Sequence, residues 1–205
     1  MAHTRSPTLE TLVLFVIVFT LQGVASLVGL LGLFVLAPPI TISPVTVVTS
    51  VTSVYAHGSI PHLLSNSLAL LLAGLLVERR TTRLRFHLFF LTVGALAGIT
   101  QVVSTGLLGP GTAVLGASGA VFGLIGYLLA GNVVAASLLD RLTLSRRAQF
   151  ALFGLAALVV TVATGRPGVA LVAHFTGLFL GLLAGSTGLL DVARDDGRAV
   201  ETRGL

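Results

Sequence analysis

The sequence predicts an all-α fold: a polytopic membrane protein in which six transmembrane helices form one domain over residues 1–205. Three observations carry this. Of the 205 residues, 55% are hydrophobic and 9% charged, and the mean hydropathy is +1.03, so there is too little polar surface to coat a water-soluble globule of this size. Apolar stretches recur at 11–36, 60–77, 86–103, 113–139, 148–164 and 169–190, most of them at or above the ~18–20 residues that cross a ~30 Å hydrocarbon core. Arginines cluster after alternate stretches, as the positive-inside rule requires of an even number of spans.

Taken in order, the first stretch is too long for a removable signal peptide and lacks a small-residue cleavage site, so it is expected to be a retained signal-anchor helix. An arginine-free outer loop, 37–56, follows. In the second stretch Ser59 is a candidate N-cap and Pro61 fits a first helical turn, which starts the helix near Ile60 and puts His62 and Asn66 on one face. The third carries Gln101. In the fourth, Gly109, Pro110, Gly111 and Gly116 argue for loop up to Ala117 and a helix from about Ser118. Ending at Gly131-Asn132, that helix has about 13 residues and is ~20 Å long, while a continuous helix to Leu139 remains the alternative. The fifth, 17 residues long, is marginal as a span. The sixth bears Ala173, Gly177, Gly181 and Gly185 at four-residue intervals, a stripe that admits close helix packing, with His174 beside it and Leu182 expected off it.

Arg5 precedes the first span; Arg79, Arg80, Arg83 and Arg85 follow the second; Arg141, Arg146 and Arg147 follow the fourth; Arg194, Arg198 and Arg203 follow the sixth. Only Arg166 lies in an alternate loop. Both termini are therefore expected in the cytoplasm of a cell-membrane, multi-pass protein. The same asymmetry accounts for a sequence pI near 11.3 better than nucleic-acid binding does, since no basic stripe interleaves with aromatics. With no cysteine, disulfides, thiolate metal sites and a cysteine nucleophile are excluded. His57 and His62 lack a nearby Asp, Glu or Cys to complete a ligand set, so no metal is expected; no cofactor is implied either.

An ionisable group within the bilayer costs several kcal/mol unless it faces the bundle interior or water. The spans as drawn contain no charges, and their polar residues are mainly His62, Asn66, Gln101, Ser118, Tyr127 and His174, with His57 at an edge. Gln22 and Gln149 read as packing or interhelical hydrogen-bond residues. A serine at a helix N-terminus has unpaired N–H groups and the positive dipole end beside it, which suit a developing oxyanion. The plainer reading of Gly116, Gly119, Gly123 and Gly126 is a small-residue packing motif, and both can hold. His174, flanking the stripe that would receive the glycine-rich fourth helix, supplies the base such a serine needs.

Three motifs, His57-x4-His62-x3-Asn66, Gly116-x-Ser118-Gly119 and Ala173-His174-x2-Gly177-x3-Gly181, in this order, resemble those of rhomboid intramembrane serine proteases over nearly the whole chain. The resemblance implies Ser118 as nucleophile and His174 as general base, with His62, Asn66, Gly116 and the Ser118 N–H around the oxyanion. It also implies support from Phe122 against the histidine, from Gly177 in the seam and from His57 near the cavity mouth; Gly74-x3-Glu78 resembles the end of the family's second helix. The first outer loop lacks the Trp-Arg pair many members carry, which affects the anchoring of that loop. The implied function is cleavage of transmembrane segments of membrane-protein substrates, with the lipid bilayer as surroundings and no nucleic-acid partner; the oligomeric state is left unassigned. The alternative is a catalytically silent rhomboid-like protein that binds membrane clients. A channel or transporter is disfavoured by the lack of mid-membrane charges and internal repeats.

Overall fold

The computed structural model describes residues 5–132, 144–165 and 168–192. Among these the protein is all-helical, with α1 at Pro7–Leu27, α2 at Pro44–Tyr55, α3 at Ile60–Val77, α4 at Arg83–Leu108, α5 at Ser118–Ala130, α6 at Arg146–Ala163 and α7 at Leu171–Thr187. The far end of the fourth apolar stretch, together with Arg141, Arg166, Arg194, Arg198 and Arg203, lies outside the described residues.

Local chemistry sets most helix starts. Ser6, Ser43, Ser59, Thr82 and Ser145 each accept a hydrogen bond from an N–H in the first turn of α1, α2, α3, α4 and α6 respectively, which satisfies donors that have no intrahelical acceptor. Pro7, Pro44 and Pro61 stand in first turns, where their missing N–H costs nothing. The Ser59 cap and the start of α3 at Ile60 are where the sequence puts them.

Three features depart from the sequence reading. The stretch 11–36 is not one helix: α1 begins a turn earlier and stops at Leu27, and Gly29, at φ 74°, turns the chain into a short 3-10 segment at Leu31–Phe34. The outer loop contains α2, whose Pro-Val-Thr-Val-Val-Thr-Ser-Val-Thr-Ser-Val-Tyr sequence is rich in β-branched residues of poor helix propensity; its cap and packing override that preference. Charges also fall inside helices, because α1 and α4 start a turn before their apolar stretches. Glu10 on α1 accepts from Arg83 Nε at 2.7 Å and lies 2.9 Å from His87 Nε2, both on α4. A neighbouring carboxylate, Glu78, accepts from Ser6 Oγ (2.7 Å) and the Thr8 N–H (3.1 Å).

The bundle is built around α5, where Gly119, Ala120, Val121, Gly123, Leu124, Gly126 and Tyr127 are all buried. Its packing on α7 is backbone against backbone. A Cβ placed on Gly177 would collide with the Gly119 carbonyl oxygen, on Gly181 with that of Gly123, on Gly185 with that of Tyr127, and on Gly126 with that of Leu178. Small residues therefore do here what the sequence stripe predicts, in lipid where helix association rests on close contact. Leu182 is not off the seam as expected: it is 5% exposed and its amide lies against Gly126, because the helical repeat brings the position after Gly181 onto the same contact face. Around this centre, α1, α3, α4 and α6 are each long and apolar enough to cross a membrane, while α2, α5 and α7 are shorter apolar helices. Outward-facing Val13, Leu64, Leu72, Leu84 and Val162 are each more than half exposed, an apolar belt suited to lipid.

Gly181→Ala should lower the thermal stability of detergent-solubilised protein by about 1–3 kcal/mol, the usual cost of overpacking a filled interface. Gly154 on α6 has open space around it, so Gly154→Ala should leave the melting temperature unchanged or raise it. Equal melting of the two variants would contradict the seam.

Candidate active site

The N-terminus of α5 opens into a cavity of about 860 Å³ whose lining includes Ser118, His174, His62, Asn66, Gln101 and Phe122. Ser118 is the first residue of α5. The first in-helix acceptor is Ala117 O, taken by the Val121 N–H at 2.9 Å, so the N–H groups of Ser118, Gly119 and Ala120 precede the helical ladder. The approach to Ser118 is pinned on both sides. Val114 pairs with Leu36 through reciprocal N–H···O bonds of 2.8 and 2.9 Å, and the Gly116 N–H donates to Ser53 O at the end of α2 at 2.8 Å.

Gly116 has φ 129°, and a Cβ there would lie 2.7 Å from His62 Cε1 and 2.8 Å from Nε2. The His62 ring thus rests on bare backbone, which gives the glycine of the motif a steric reason beside its conformational one. Asn66, 6% exposed, donates from Nδ2 to His62 O at 3.0 Å, leaving one N–H for other acceptors.

His174 enters from α7 and is 9% exposed. Its ring stacks on Phe122 with centroids 4.3 Å apart and planes at 27°, the contact that the resemblance implies. The Ala173 N–H, an orphan donor of the first turn of α7, is taken by Gln101 Oε1 at 3.1 Å. Thr100 Oγ1 adds a bond to Thr176 Oγ1 at 3.0 Å. Two side chains of α4 therefore set the height of α7 and with it His174. Sequence reasoning singled out Gln101 as polar but gave it no partner, because no local spacing links positions 101 and 173. Ser118 and His174 face the same cavity without a hydrogen bond between them among the described contacts; such bonds often tighten only when substrate is bound.

His57 stands differently from the expectation. It does not line the cavity but sits behind His62, ring to ring at 5.2 Å, and is 2% exposed. Tyr55 O lies 3.1 Å from Nδ1; a carbonyl only accepts, so Nδ1 carries the proton and Nε2 is left as acceptor. Gln22 of α1 grips the His57 backbone twice: Oε1 accepts its N–H at 2.9 Å and Nε2 donates to its carbonyl at 3.4 Å. Phe15 packs against the same ring at 4.7 Å. Gln22 is the interhelical hydrogen-bond residue the sequence suggests, whereas Gln149 bonds only locally, to Leu144 O at 3.4 Å. Tyr127 lies away from the cavity, its hydroxyl donating to Asp191 Oδ1 at 2.7 Å, and Gly177 serves the seam.

A serine hydroxyl, an imidazole and a set of N–H donors around one recess, inside a bundle of apolar helices, describe an intramembrane-protease-like protein. The Rhomboid domain family model matches residues 44–190, and the chain belongs to the rhomboid family. A search of curated proteins finds no match to it. Helix α1, with Gln22, lies ahead of the matched residues.

Gln22→Leu should destabilise the protein by about 1–3 kcal/mol, because it leaves a buried N–H and a buried carbonyl without partners. Thermal unfolding in detergent checks this, and an unchanged transition would mean that the clamp on His57 carries no weight.

Proposed function

We propose that the protein is an intramembrane serine endopeptidase that cleaves transmembrane segments of other membrane proteins. The observation that carries the reading is that Ser118, His174, His62 and Asn66, from three helices, line one cavity at the N-terminus of α5. His174 takes the proton of Ser118 Oγ as the oxygen attacks the scissile carbonyl. The negative charge that develops on the carbonyl oxygen is met by N–H groups at the start of α5 and by the side chains of His62 and Asn66, donors fixed before the reaction begins. Collapse of the tetrahedral adduct expels the amine, which receives its proton from the His174 imidazolium. Water, activated by the same imidazole, then hydrolyses the ester and regenerates Ser118. Phe122, stacked on His174, holds the ring where many serine hydrolases use a carboxylate. A substrate helix has to unwind at the cleaved bond, since a helical carbonyl is already hydrogen-bonded and shielded.

Reconstituted with a single-pass substrate, wild-type protein should release two fragments, and Ser118→Ala and His174→Ala should each abolish cleavage while keeping the wild-type melting temperature. Asn66→Ala should reduce the rate about 100-fold, in line with the ~3 kcal/mol typical of one oxyanion donor. A folded wild-type protein that binds the substrate and never cuts it would favour the catalytically silent client-binding reading.

The cavity is assigned to the outer half of the membrane and both termini to the cytoplasm. Arg80 donates to Gly131 O at 2.9 Å, so the end of α5 opposite Ser118 lies beside the arginines. A reporter inserted near Arg80 should report cytoplasm and one inserted between Thr105 and Gly111 should report the outside; the reverse pattern would defeat this orientation.

A further inference from the structure

A second recess, of about 750 Å³, lies between α1 and α4 and shares no lining residue with the cavity at Ser118. Its walls are apolar: Leu9, Val13 and Leu14 from α1 face Leu88 and Leu91 from α4. Arg5, Arg83 and His87 also line it, together with Glu10. Arg83 spends Nε on Glu10 at 2.7 Å, and its side chain is 60% exposed, so its two terminal nitrogens are available to a further anion. Glu10 Oε2 receives Arg83 and His87 together, which neutralises the carboxylate and fixes the guanidinium at the rim. Among the lining residues two arginines stand against one carboxylate, while the neighbouring Glu78 is taken up by the Ser6 hydroxyl and the Thr8 N–H.

We propose that this groove binds one anionic phospholipid of the adjacent leaflet, with its phosphodiester between Arg5 and Arg83 and an acyl chain along Leu9, Val13 and Leu88. The excess of arginine over carboxylate among the lining residues suits an anionic headgroup, and the three wall residues are each more than half exposed. The acyl chain gives little selectivity, because it leaves surroundings as apolar as the groove. Discrimination comes from the headgroup, through basic residues at the membrane surface. The bound lipid would bridge α1 to α4 beside the Glu10–Arg83 pair, and it does not depend on the proteolytic reading.

The test is native mass spectrometry of the delipidated full chain, titrated in detergent with phosphatidylglycerol or phosphatidylcholine of equal chain length, and with inorganic phosphate as competitor. Wild type should retain one phosphatidylglycerol with roughly tenfold preference over phosphatidylcholine, consistent with basic residues acting at the surface. Arg5→Gln with Arg83→Gln should erase the preference, and Val13→Phe, which fills the slot and spares the charges, should weaken retention of both lipids. If the double variant does not fold, Arg5→Gln alone should reduce the preference by severalfold. Equal retention of the two lipids by wild type, a preference that survives loss of the arginines, or full retention by Val13→Phe would each overturn the proposal. Displacement by millimolar inorganic phosphate would also overturn it, reducing the mouth to a simple anion site.

Discussion

Everything at the cavity depends on how closely α5 and α7 approach. Carbonyl oxygens of Gly119, Gly123 and Tyr127 occupy the space that side chains at Gly177, Gly181 and Gly185 would fill. Ser118 is one residue from Gly119 and His174 is three from Gly177, so the first rung of this contact also bears on the separation of these two side chains. Lipid offers little hydrophobic drive to bring helices together. The interface is held instead by dispersion at minimal distance and by the fit of surfaces without side chains, which makes it unforgiving of added volume.

The rest of the bundle gives this pair its height and tilt. Gln101 and Thr100 tie α4 to the first turns of α7, and Ser53 ties α2 to Gly116. Through Gln22 and Phe15, α1 holds His57, and His57 backs His62. The polar links among these use amides, backbone carbonyls and hydroxyls rather than carboxylates or guanidinium groups, as suits groups buried where an unpaired ion would be costly. Carboxylates are engaged at the other end, where Glu10 pairs with Arg83 and Glu78 accepts from the Ser6 hydroxyl. The molecule thus separates a neutral polar network around the cavity from a charged one at the arginine-rich face.

Much of this was legible in the sequence, for identifiable reasons. The start of α3 follows from Ser59 and Pro61, the loop before α5 from its glycines and proline, and the α5–α7 seam from a four-residue spacing of small residues sustained from Ala173 to Gly185; all are local signals. Helix α2 was hidden because Val and Thr dominate it, and its stability comes from Ser43 and from packing that sequence spacing does not report. The stop of α1 at Leu27 was hidden because hydropathy continues unbroken past Gly29. Gln101 and His87 depend on partners 72 and 77 residues distant, and the position of His57 behind His62 depends on ring orientation, information carried only by the folded chain. Leu182 shows a further limit: the stripe of small residues was visible, but the width of the face it creates was not.

The shortness of α5 has an electrical meaning. At 13 residues it rises only ~20 Å, well under the ~30 Å of a hydrocarbon core, and the recess above Ser118 is continuous with a loop rather than roofed by helix. If water fills that recess, it sits at nearly the potential of the compartment it opens to, and the membrane voltage falls mainly across the thinner layer below. An oxyanion forming beside Ser118 would then cross little of the field. On the proposed function and orientation, chemistry at the cavity would proceed at the outer potential although its residues would lie within the thickness of the bilayer.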